Sequence, residues 1–414
     1  MENIKQNYEI ARERYAEMGV DTEAALKKLD KIPLSLHCWQ GDDVAGFEKT
    51  KSAMSGGIQA TGNHPGRART LVELRKDLEK AMSFIPGPLK VNLHANYIDS
   101  KKRVERDEIA PEHFKSWVDW AKQQKIGLDF NGTFFAHPLS DKTLTSPDEK
   151  IRKFWIDHAK AARKIGAYFG KELKQTAAVN LWIPDGEKDT PADLTAPRAR
   201  LLDSLNKIFK DKYAAANLFD AMECKLFGIG AESYTAGSHE FYMGYAVKNQ
   251  LGITLDTGHF HPTECVSDKI SSLLLFVPAI LLHLSRGVRW DSDHVLTLSD
   301  EIYAIGREVA RYADRIYVGL DYFDASINRI AAWVIGARNA KKAILAGLLT
   351  PFAKLAAAEN RGNLAERLAL YEENRVLPLG AVWDYYCEIH DAAVNGEWIA
   401  DVNKYEDTVL RKRK

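Results

Sequence analysis

Short apolar runs recur along the chain, and longer stretches in which apolar residues repeat with helical spacing separate them. Helical patterns of this kind cover residues 69–84, 111–124 and 147–169. Strands that alternate with helices predict parallel β-α-β units, so the pattern indicates an α/β protein. The eight candidate strands are residues 34–39, 91–97, 127–131, 178–184, 219–227, 251–259, 280–285 and 316–324.

Eight strands of this kind fit a closed (β/α)8 barrel, the TIM barrel, and nearly as well an open doubly wound sheet. Two features favour the barrel. Polar side chains follow several different strands, and a barrel builds its active site at the carboxyl ends of its strands. Closure also brings the eighth strand beside the first, so that side chains from distant strands can share one site.

The barrel is predicted to occupy residues 1–350, including an N-terminal helix, and residues 351–414 show helical patterns only. Apolar residues from Ile327 to Ile335 repeat at helical spacing and form the predicted core stripe of the last barrel helix. Asp324 is the predicted cap of that helix. The all-helical C-terminal extension exceeds what a barrel needs, so we expect it to contact a neighbouring subunit rather than its own barrel.

Composition narrows the possible partners. The chain has 57 basic and 57 acidic residues, and this balance gives no reason to expect nucleic acid or an anionic membrane as a partner. Its most apolar stretch, residues 273–284, is too short to span a bilayer and contains Pro278. The amino end is charged and unlike a secretion signal, and the four cysteines show no CxxC spacing. These features predict a cytoplasmic protein.

Acids and histidines follow the later apolar runs one after another. A buried polar group is costly unless something pairs with it, and several acids that converge would repel each other unless a cation held them. Nitrogen and carboxylate oxygen donors without thiolates suit Mn²⁺, Mg²⁺ or Co²⁺. The number of groups is enough for two ions that share a ligand. The candidate ligands are Glu223, Asp256, His259, His283, Asp291, Asp293 and Asp321.

Spacing within this set supports chelation. Asp256 and His259 lie three residues apart across a glycine turn, so they can contact adjacent ions. Asp291 and Asp293 lie two residues apart, which places both carboxylates on one face of an extended segment. The same alternation predicts that Lys225 points the same way as the preceding acid in its strand. That lysine could polarise a substrate oxygen, and a buried salt bridge is an equally good interpretation.

Six segments of the chain, in their order and spacing, resemble the L-rhamnose isomerase family, which belongs to the broader group that includes xylose isomerase. The likeness extends over nearly the whole chain. The segments are HCWQGDD at 37–43, IQATGN at 58–63, residues 225–234, GHFHPTE at 258–264, VRWDSDH at 288–294 and DASINR at 324–329.

The resemblance implies an aldose–ketose isomerase that interconverts L-rhamnose and L-rhamnulose as a cytoplasmic homotetramer. It implies two metal ions per subunit, with Mn²⁺ preferred and Co²⁺ or Mg²⁺ as substitutes. The implied ligands of a structural ion are Glu223, Asp256, His283 and Asp321. The implied ligands of a catalytic ion are His259, Asp291 and Asp293, with Asp256 near or bridging both ions.

The resemblance also implies the contacts to the sugar. Trp39 and Trp182 would form an aromatic wall, His94 would contact the sugar ring, and Lys225 would contact a substrate oxygen. Lys225, His94 and Asp321 are therefore the candidate catalytic residues.

The reaction moves hydrogen between the neighbouring carbons C1 and C2, and two routes stay open. The hydrogen can pass as a metal-assisted hydride shift, or Asp321 can act as a base through an enediol. Isomerisation of another aldose is the first alternative activity. A multi-metal phosphodiesterase on the same barrel would need a basic groove, and a non-catalytic sugar-binding protein with structural metals is a further alternative.

Overall fold

The computed structural model describes residues 2–49, 62–225, 233–288 and 294–413. Within these ranges the chain forms ten strands and fourteen α-helices. The strands are β1 (Leu34–His37), β2 (Leu89–His94), β3 (Gly127–Asn131), β4 (Ala177–Leu181), β5 (Gly186–Glu187), β6 (Leu218–Glu223), β7 (Tyr234–Thr235), β8 (Gly252–Asp256), β9 (Ile280–Leu284) and β10 (Ile316–Leu320). The helices are α1 (Glu2–Glu17), α2 (Thr22–Leu29), α3 (Leu71–Met82), α4 (Lys115–Gln124), α5 (Glu149–Leu173), α6 (Thr195–Ile208), α7 (His239–Asn249), α8 (Val266–Leu273), α9 (Asp300–Arg311), α10 (Arg329–Leu348), α11 (Phe352–Asn360), α12 (Leu364–Arg375), α13 (Leu379–Ile389) and α14 (Trp398–Thr408).

Eight of these strands are parallel and close into a barrel in the order β1-β10-β9-β8-β6-β4-β3-β2. The predicted (β/α)8 barrel is therefore confirmed, and the open sheet is excluded. The eighth barrel strand, β10, pairs with β1 as closure requires. Strands β5 and β7 form a small antiparallel ribbon that the hydrophobic pattern did not predict. Most barrel-strand residues are buried, because helices cover the outside and side chains fill the inside.

Local sequence signals fix many of the helix ends. Side-chain oxygens at the starts of seven of the described helices accept hydrogen bonds from backbone N–H groups of the first turn, which would otherwise lack partners. Three helices end on a residue in the left-handed conformation, a common way to stop a helix. The seven caps are Asp21, Thr70, Asp148, Ser238, Ser299, Asn328 and Asn363, and the three left-handed ends are Lys125, Lys174 and Gln250.

Seven of the eight predicted strands extended one to four residues too far at their carboxyl ends. Residues 219–227, 251–259 and 316–324 were predicted, whereas β6, β8 and β10 end at Glu223, Asp256 and Leu320. The apolar run continues into the following loop, where Cys224 and Tyr322 are buried without belonging to the barrel strands. Because burial and strand pairing end at different residues, hydrophobicity alone misplaces the boundary.

The start of α10 also differs from the prediction. Asn328 is its cap, since its Oδ1 accepts hydrogen bonds from the N–H groups two and three residues on. Asp324 instead accepts a hydrogen bond from the backbone N–H of Ser326. Ile327, which was expected on the core stripe, precedes the helix and is 37% exposed. A cap must directly precede the first helical residue, and Asp324 lies too far upstream.

Parts of the C-terminal extension pack on their own barrel, against our expectation. Tyr385 of α13 stacks on Tyr8 of α1 with ring centroids 3.9 Å apart, and Tyr386 donates a hydrogen bond to Asp30 at 2.8 Å. Trp383 on the same helix is buried. By contrast, α12 buries none of its residues. Contact of the extension with a neighbouring subunit stays a prediction.

No helix within the described ranges is long and apolar enough to cross a membrane.

Helices α9 and α10 approach each other at glycines. A Cβ atom on Gly306 would lie 2.1 Å from the carbonyl oxygen of Ala343, and a Cβ atom on Gly347 would lie 2.1 Å from that of Gly306. Both obstructing atoms belong to the backbone of the facing helix. The crossing therefore requires residues without side chains.

We expect Gly306→Ala to lower the free energy of unfolding by about 1–3 kcal/mol, because the added methyl group would push two packed helices apart. Gly244→Ala is the matched control, since Gly244 lies within α7 with nothing within 4 Å of an added Cβ. That substitution should raise the free energy of unfolding by about 0.5–1 kcal/mol through helix propensity. Denaturant unfolding of both variants measures the difference, and shifts of the same sign would contradict the close crossing.

Candidate metal centre

Four adjacent barrel strands bring together three acidic residues and one histidine. Glu223 ends β6, Asp256 ends β8, His283 lies one residue before the end of β9, and Asp321 directly follows β10. Asp256 and His283 are register partners in the sheet. One ligand atom from each of the four residues lies within 4.8 Å of the corresponding atoms of the others. The cluster therefore lies at the carboxyl-terminal mouth of the barrel, where the sequence predicted it.

His283 is the centre of this cluster. Its Nδ1 atom lies 3.2 Å from a Glu223 oxygen and 3.1 Å from an Asp321 oxygen. Neither contact has hydrogen-bond geometry, and both ring nitrogens lack a hydrogen-bond partner within the described part of the chain. The side chain is completely buried. A buried imidazole without hydrogen bonds, between two carboxylates, has the environment of a metal ligand.

Burial and mutual repulsion dominate the electrostatics of the cluster. Burial raises the pKa of Asp256 to about 8, and the neighbouring Glu223 and Asp321 carboxylates add to this rise. For His283, burial lowers the pKa, but the same two carboxylates outweigh it and hold that pKa well above its ordinary value. Protons thus compensate the charge of the metal-free site. A bound divalent cation would compensate the same negative charge, and its binding would release these protons. Three carboxylates and one imidazole are donors that suit such a cation.

Asn180 and Thr254 orient Glu223 and were missed by the sequence analysis. The Asn180 side-chain amide donates a hydrogen bond to Glu223 Oε2, and the Thr254 hydroxyl donates to the Asn180 carbonyl oxygen at 2.7 Å. Partners of this kind fix the orientation of metal ligands. A polar residue within the apolar run of β4 was a signal that could have identified Asn180.

Two further donors hold the other carboxylates. The backbone N–H of Gly258 donates to Asp256 Oδ1 at 2.6 Å, which is possible because the chain turns immediately after β8. The Trp39 indole N–H donates to Asp321 Oδ1 at 3.0 Å. Asp321 is the most exposed of the four, with a side-chain exposure of 19% against 3% for Glu223. It therefore faces the open end of the barrel.

His259 lies beside the cluster rather than within it. Its Nδ1 atom is 3.2 Å from Glu223 Oε1, and the residue is buried. The two acids predicted to share an ion with His259, Asp291 and Asp293, lie outside the described residues. The structure thus brings one of the three predicted ligands of a second ion to the site.

An aromatic wall extends from the cluster. Trp39 meets His94 edge to face with ring centroids 4.7 Å apart, His94 meets Phe135 at 5.4 Å, and Phe135 meets Trp182 at 6.2 Å. Three of these residues were predicted from the sequence, whereas Phe135, which lies in a loop after β3, was not. Burial lowers the pKa of His94 to about 3, although Asp321 opposes the shift, so this ring is neutral near neutral pH. Such a wall suits a ligand with an apolar side and hydroxyl groups.

Lys225 lies at the far end of this wall. Its Nζ atom donates a hydrogen bond to the carbonyl oxygen of Pro184 at 3.0 Å and lies 6.0 Å from the ring centroid of Trp182. The residue is buried two positions beyond the end of β6. The Lys225 ammonium group is therefore held beside Trp182, at the end of the aromatic wall.

A family model and the curated relatives of the chain indicate the same family. A family model described as L-rhamnose isomerase (RhaA) matches residues 2–413. The chain is 56% identical to the L-rhamnose isomerase of Salmonella paratyphi B (strain ATCC BAA-1250 / SPB7) and 55% identical to that of Salmonella agona (strain SL483), with 99% of each chain covered. A solved D-psicose 3-epimerase from Clostridium cellulolyticum H10 aligns at a TM-score of 0.47 and 13% identity, over 76% of this chain and 98% of that one. That structural likeness is too low to support a conclusion.

We expect the metal-free protein to lose stability between pH 5 and 8 through Asp256. Its pKa is about 8 in the folded state and about 4 in an unfolded chain. The folded state therefore binds an extra proton in this window, and that stabilisation disappears as the pH rises through 8. Asp256→Asn removes the titration, so its unfolding temperature relative to wild type should increase from pH 5 to pH 8. Calorimetry in chelator measures this difference, and a difference independent of pH would contradict the assignment.

Proposed function

The chain belongs to the L-rhamnose isomerase family, and we propose that it interconverts L-rhamnose and L-rhamnulose with bound divalent cations at the barrel mouth. The activity follows from 56% identity over 99% of the chain to curated enzymes of that name. The observation that supports the metal is the convergence of Glu223, Asp256, His283 and Asp321.

We assign the four convergent residues to one ion and propose a second ion bound by His259, Asp291 and Asp293, with Asp256 near both. Mn²⁺ is the proposed native metal, with Co²⁺ or Mg²⁺ as substitutes, because carboxylate and imidazole donors suit all three. A bound divalent cation would polarise the sugar carbonyl and favour ionisation of the neighbouring hydroxyl group.

The atoms that move when an aldose becomes a ketose define what the protein must do. In the aldose, C1 carries the carbonyl and C2 carries a hydrogen and a hydroxyl. In the ketose, C2 carries the carbonyl and C1 carries the hydroxyl and two hydrogens. One hydrogen therefore moves from C2 to C1, one proton moves from O2 to O1, and the composition of the sugar is unchanged. No external oxidant is needed, so the protein has to position two carbons, exclude water and carry a proton.

We propose that Asp321 carries that proton. Burial raises its pKa, but the close contact with His283 and the positive charge of that ring outweigh burial, so the pKa is below its ordinary value. The ionised side chain faces the open end of the site, while Trp39 holds its other oxygen. Alongside a hydride shift it would accept the proton from O2 and return it to O1, whereas in an enediol route it would accept a proton from C2 and return it to C1. Both routes use the same residue.

Lys225, His94 and the aromatic residues would hold the substrate. The Lys225 ammonium group would stabilise negative charge that develops on a sugar oxygen. His94, which is neutral, would exchange a hydrogen bond with the sugar ring rather than act as an acid. The Trp182 indole N–H has no hydrogen-bond partner among the described residues and is available to a hydroxyl group.

The apolar part of the wall suits the methyl group of a 6-deoxy sugar. A pocket that does not form a hydrogen bond with each hydroxyl discriminates weakly between related sugars. We therefore propose side activity on L-mannose, L-lyxose or D-allose. The tetramer and the cytoplasmic location stay predictions from the family resemblance.

We expect removal of metal with a chelator to abolish ketose formation from L-rhamnose, and addition of Mn²⁺ to restore it, because the bound cation would polarise the substrate oxygens. The assay uses a panel of L- and D-aldoses with Mn²⁺, Co²⁺ and Mg²⁺ in parallel. L-rhamnose should give the highest kcat/KM.

Two results would contradict the proposal. If Mn²⁺ raised the unfolding temperature but no aldose gave ketose, the metals would be structural and the protein a sugar binder. Cleavage of DNA containing abasic sites, without activity on any sugar, would indicate a phosphodiesterase.

A further inference from the structure

The barrel closes at a short seam. Strand β1 pairs with β10 through two residue pairs, Leu34 with Val318 and Ser35 with Gly319. By comparison, β10 pairs with β9 through five residue pairs and β1 with β2 through four. Asp321 directly follows β10, beyond the last pair of the seam. The backbone pairing of β1 and β10 therefore ends before it reaches this candidate ligand.

Beyond the last residue pair of the seam, hydrogen bonds from the Gln40 side chain join the two segments. It lies in a one-turn 3-10 helix, Cys38–Gly41, that follows β1. Its Nε2 donates to the carbonyl oxygen of Asp324 at 2.8 Å, and its Oε1 accepts from the N–H of Asp324 at 2.8 Å. The side-chain amide thus takes the place of a peptide group in a strand ladder. Gln40 is 1% exposed, so water does not compete for these hydrogen bonds.

The same turn holds both ends of the segment 321–324. Trp39 donates to the Asp321 carboxylate at 3.0 Å, and the adjacent Gln40 binds the backbone of Asp324. Further along, Asp43 accepts two hydrogen bonds from Arg329, at 3.0 and 2.8 Å. These three contacts, which we call the seam brace, join the turn after β1 to the turn after β10.

Strain in the backbone indicates that the brace determines the local conformation. Asp43 and Val44 have φ values of 59° and 63°, a region that is unfavourable for a β-branched residue. Arg329 is nearly fully buried, so its ion pair with Asp43 excludes most solvent. Such a conformation persists only where surrounding contacts maintain it.

We propose that Gln40 is a positioning residue for Asp321. By fixing the backbone of Asp324 against the turn that carries Trp39, it sets where the Asp321 carboxylate lies relative to Glu223, Asp256 and His283. The side-chain amide of Gln40 binds the backbone of Asp324, so its effect on the four residues passes through the segment 321–324. The inference rests on the proposed function, because it assumes that the four residues bind a divalent ion.

A purely structural role makes a different prediction. If Gln40 served only the fold, its loss would lower the unfolding temperature and leave the affinity of the folded protein for metal unchanged. If it positions Asp321, its loss weakens metal binding at temperatures where the protein is fully folded. Replacement of groups that support metal ligands typically changes affinity by about 10- to 100-fold.

The test measures Mn²⁺ binding to the chelator-treated full chain by titration calorimetry, well below the unfolding temperature. Gln40→Met keeps the length of the side chain and removes both hydrogen bonds. We expect the Kd for Mn²⁺ to increase about tenfold or more, with a smaller Mn²⁺-induced rise in unfolding temperature and a lower kcat for L-rhamnose at saturating Mn²⁺.

Lys341→Met is the matched control. Lys341 is buried and donates a hydrogen bond to the carbonyl oxygen of Pro88, just before β2 and thus at the opposite end of the barrel. Its replacement also removes a buried side-chain to main-chain hydrogen bond. This variant should change the unfolding temperature of the metal-free protein and leave the Kd for Mn²⁺ at the wild-type value.

The outcomes are separable. A folded Gln40→Met variant with the wild-type Kd overturns the proposal, as does an equal loss of affinity in Lys341→Met. If Gln40→Met does not fold, Asp43→Asn replaces it as the test, because it weakens the outer contact of the seam brace. A higher Kd for Mn²⁺ in Asp43→Asn would support the proposal, and an unchanged Kd would contradict it. Wild-type protein that neither binds Mn²⁺ nor forms ketose would instead refute the proposed function.

Discussion

Closure of the barrel forces three carboxylates and one imidazole into a space with little access to water, and the rest of the site depends on this constraint. Charges buried in this way are unfavourable unless they are compensated. In the folded chain this charge is compensated by protons on Asp256 and His283 and by hydrogen bonds that the carboxylates accept from Asn180, Gly258 and Trp39. A divalent cation compensates the same charge and leaves the carboxylates ionised, which links metal binding to the protonation of the site.

The two ends of the barrel interior differ in how their polar and aromatic side chains are paired. At the amino-terminal end the interior groups pair with each other, since Lys90 binds Asp129 at 3.0 Å and Phe219 stacks on Tyr317 with centroids 4.4 Å apart. At the carboxyl-terminal end the polar groups are brought together without full internal pairing, and His283 is the clearest example. This division is typical of (β/α)8 barrels, whose chemistry lies at the carboxyl ends of the strands.

The features of the fold and the site that depend on single strands could be predicted from the sequence. Each barrel strand is an apolar run, and each candidate ligand follows such a run, so the barrel and the convergence of Glu223, Asp256, His283 and Asp321 could be predicted. Contacts between distant segments could not. The Gln40 amide that binds the Asp324 backbone, the direction of α13 and the place of Phe135 in the aromatic wall depend on packing that no local pattern encodes. Strand ends were misplaced for a related reason, because apolar residues remain buried beyond the last pairing.

The central claim is that the clustered side chains share a cation at the mouth of the barrel. Anomalous diffraction at the manganese edge, from crystals of protein loaded with Mn²⁺, tests this most directly. The account predicts a peak within coordination distance of Glu223, Asp256, His283 and Asp321, and a second peak beside His259. A map without a peak among the four side chains, or one in which they point into separate regions, would contradict it.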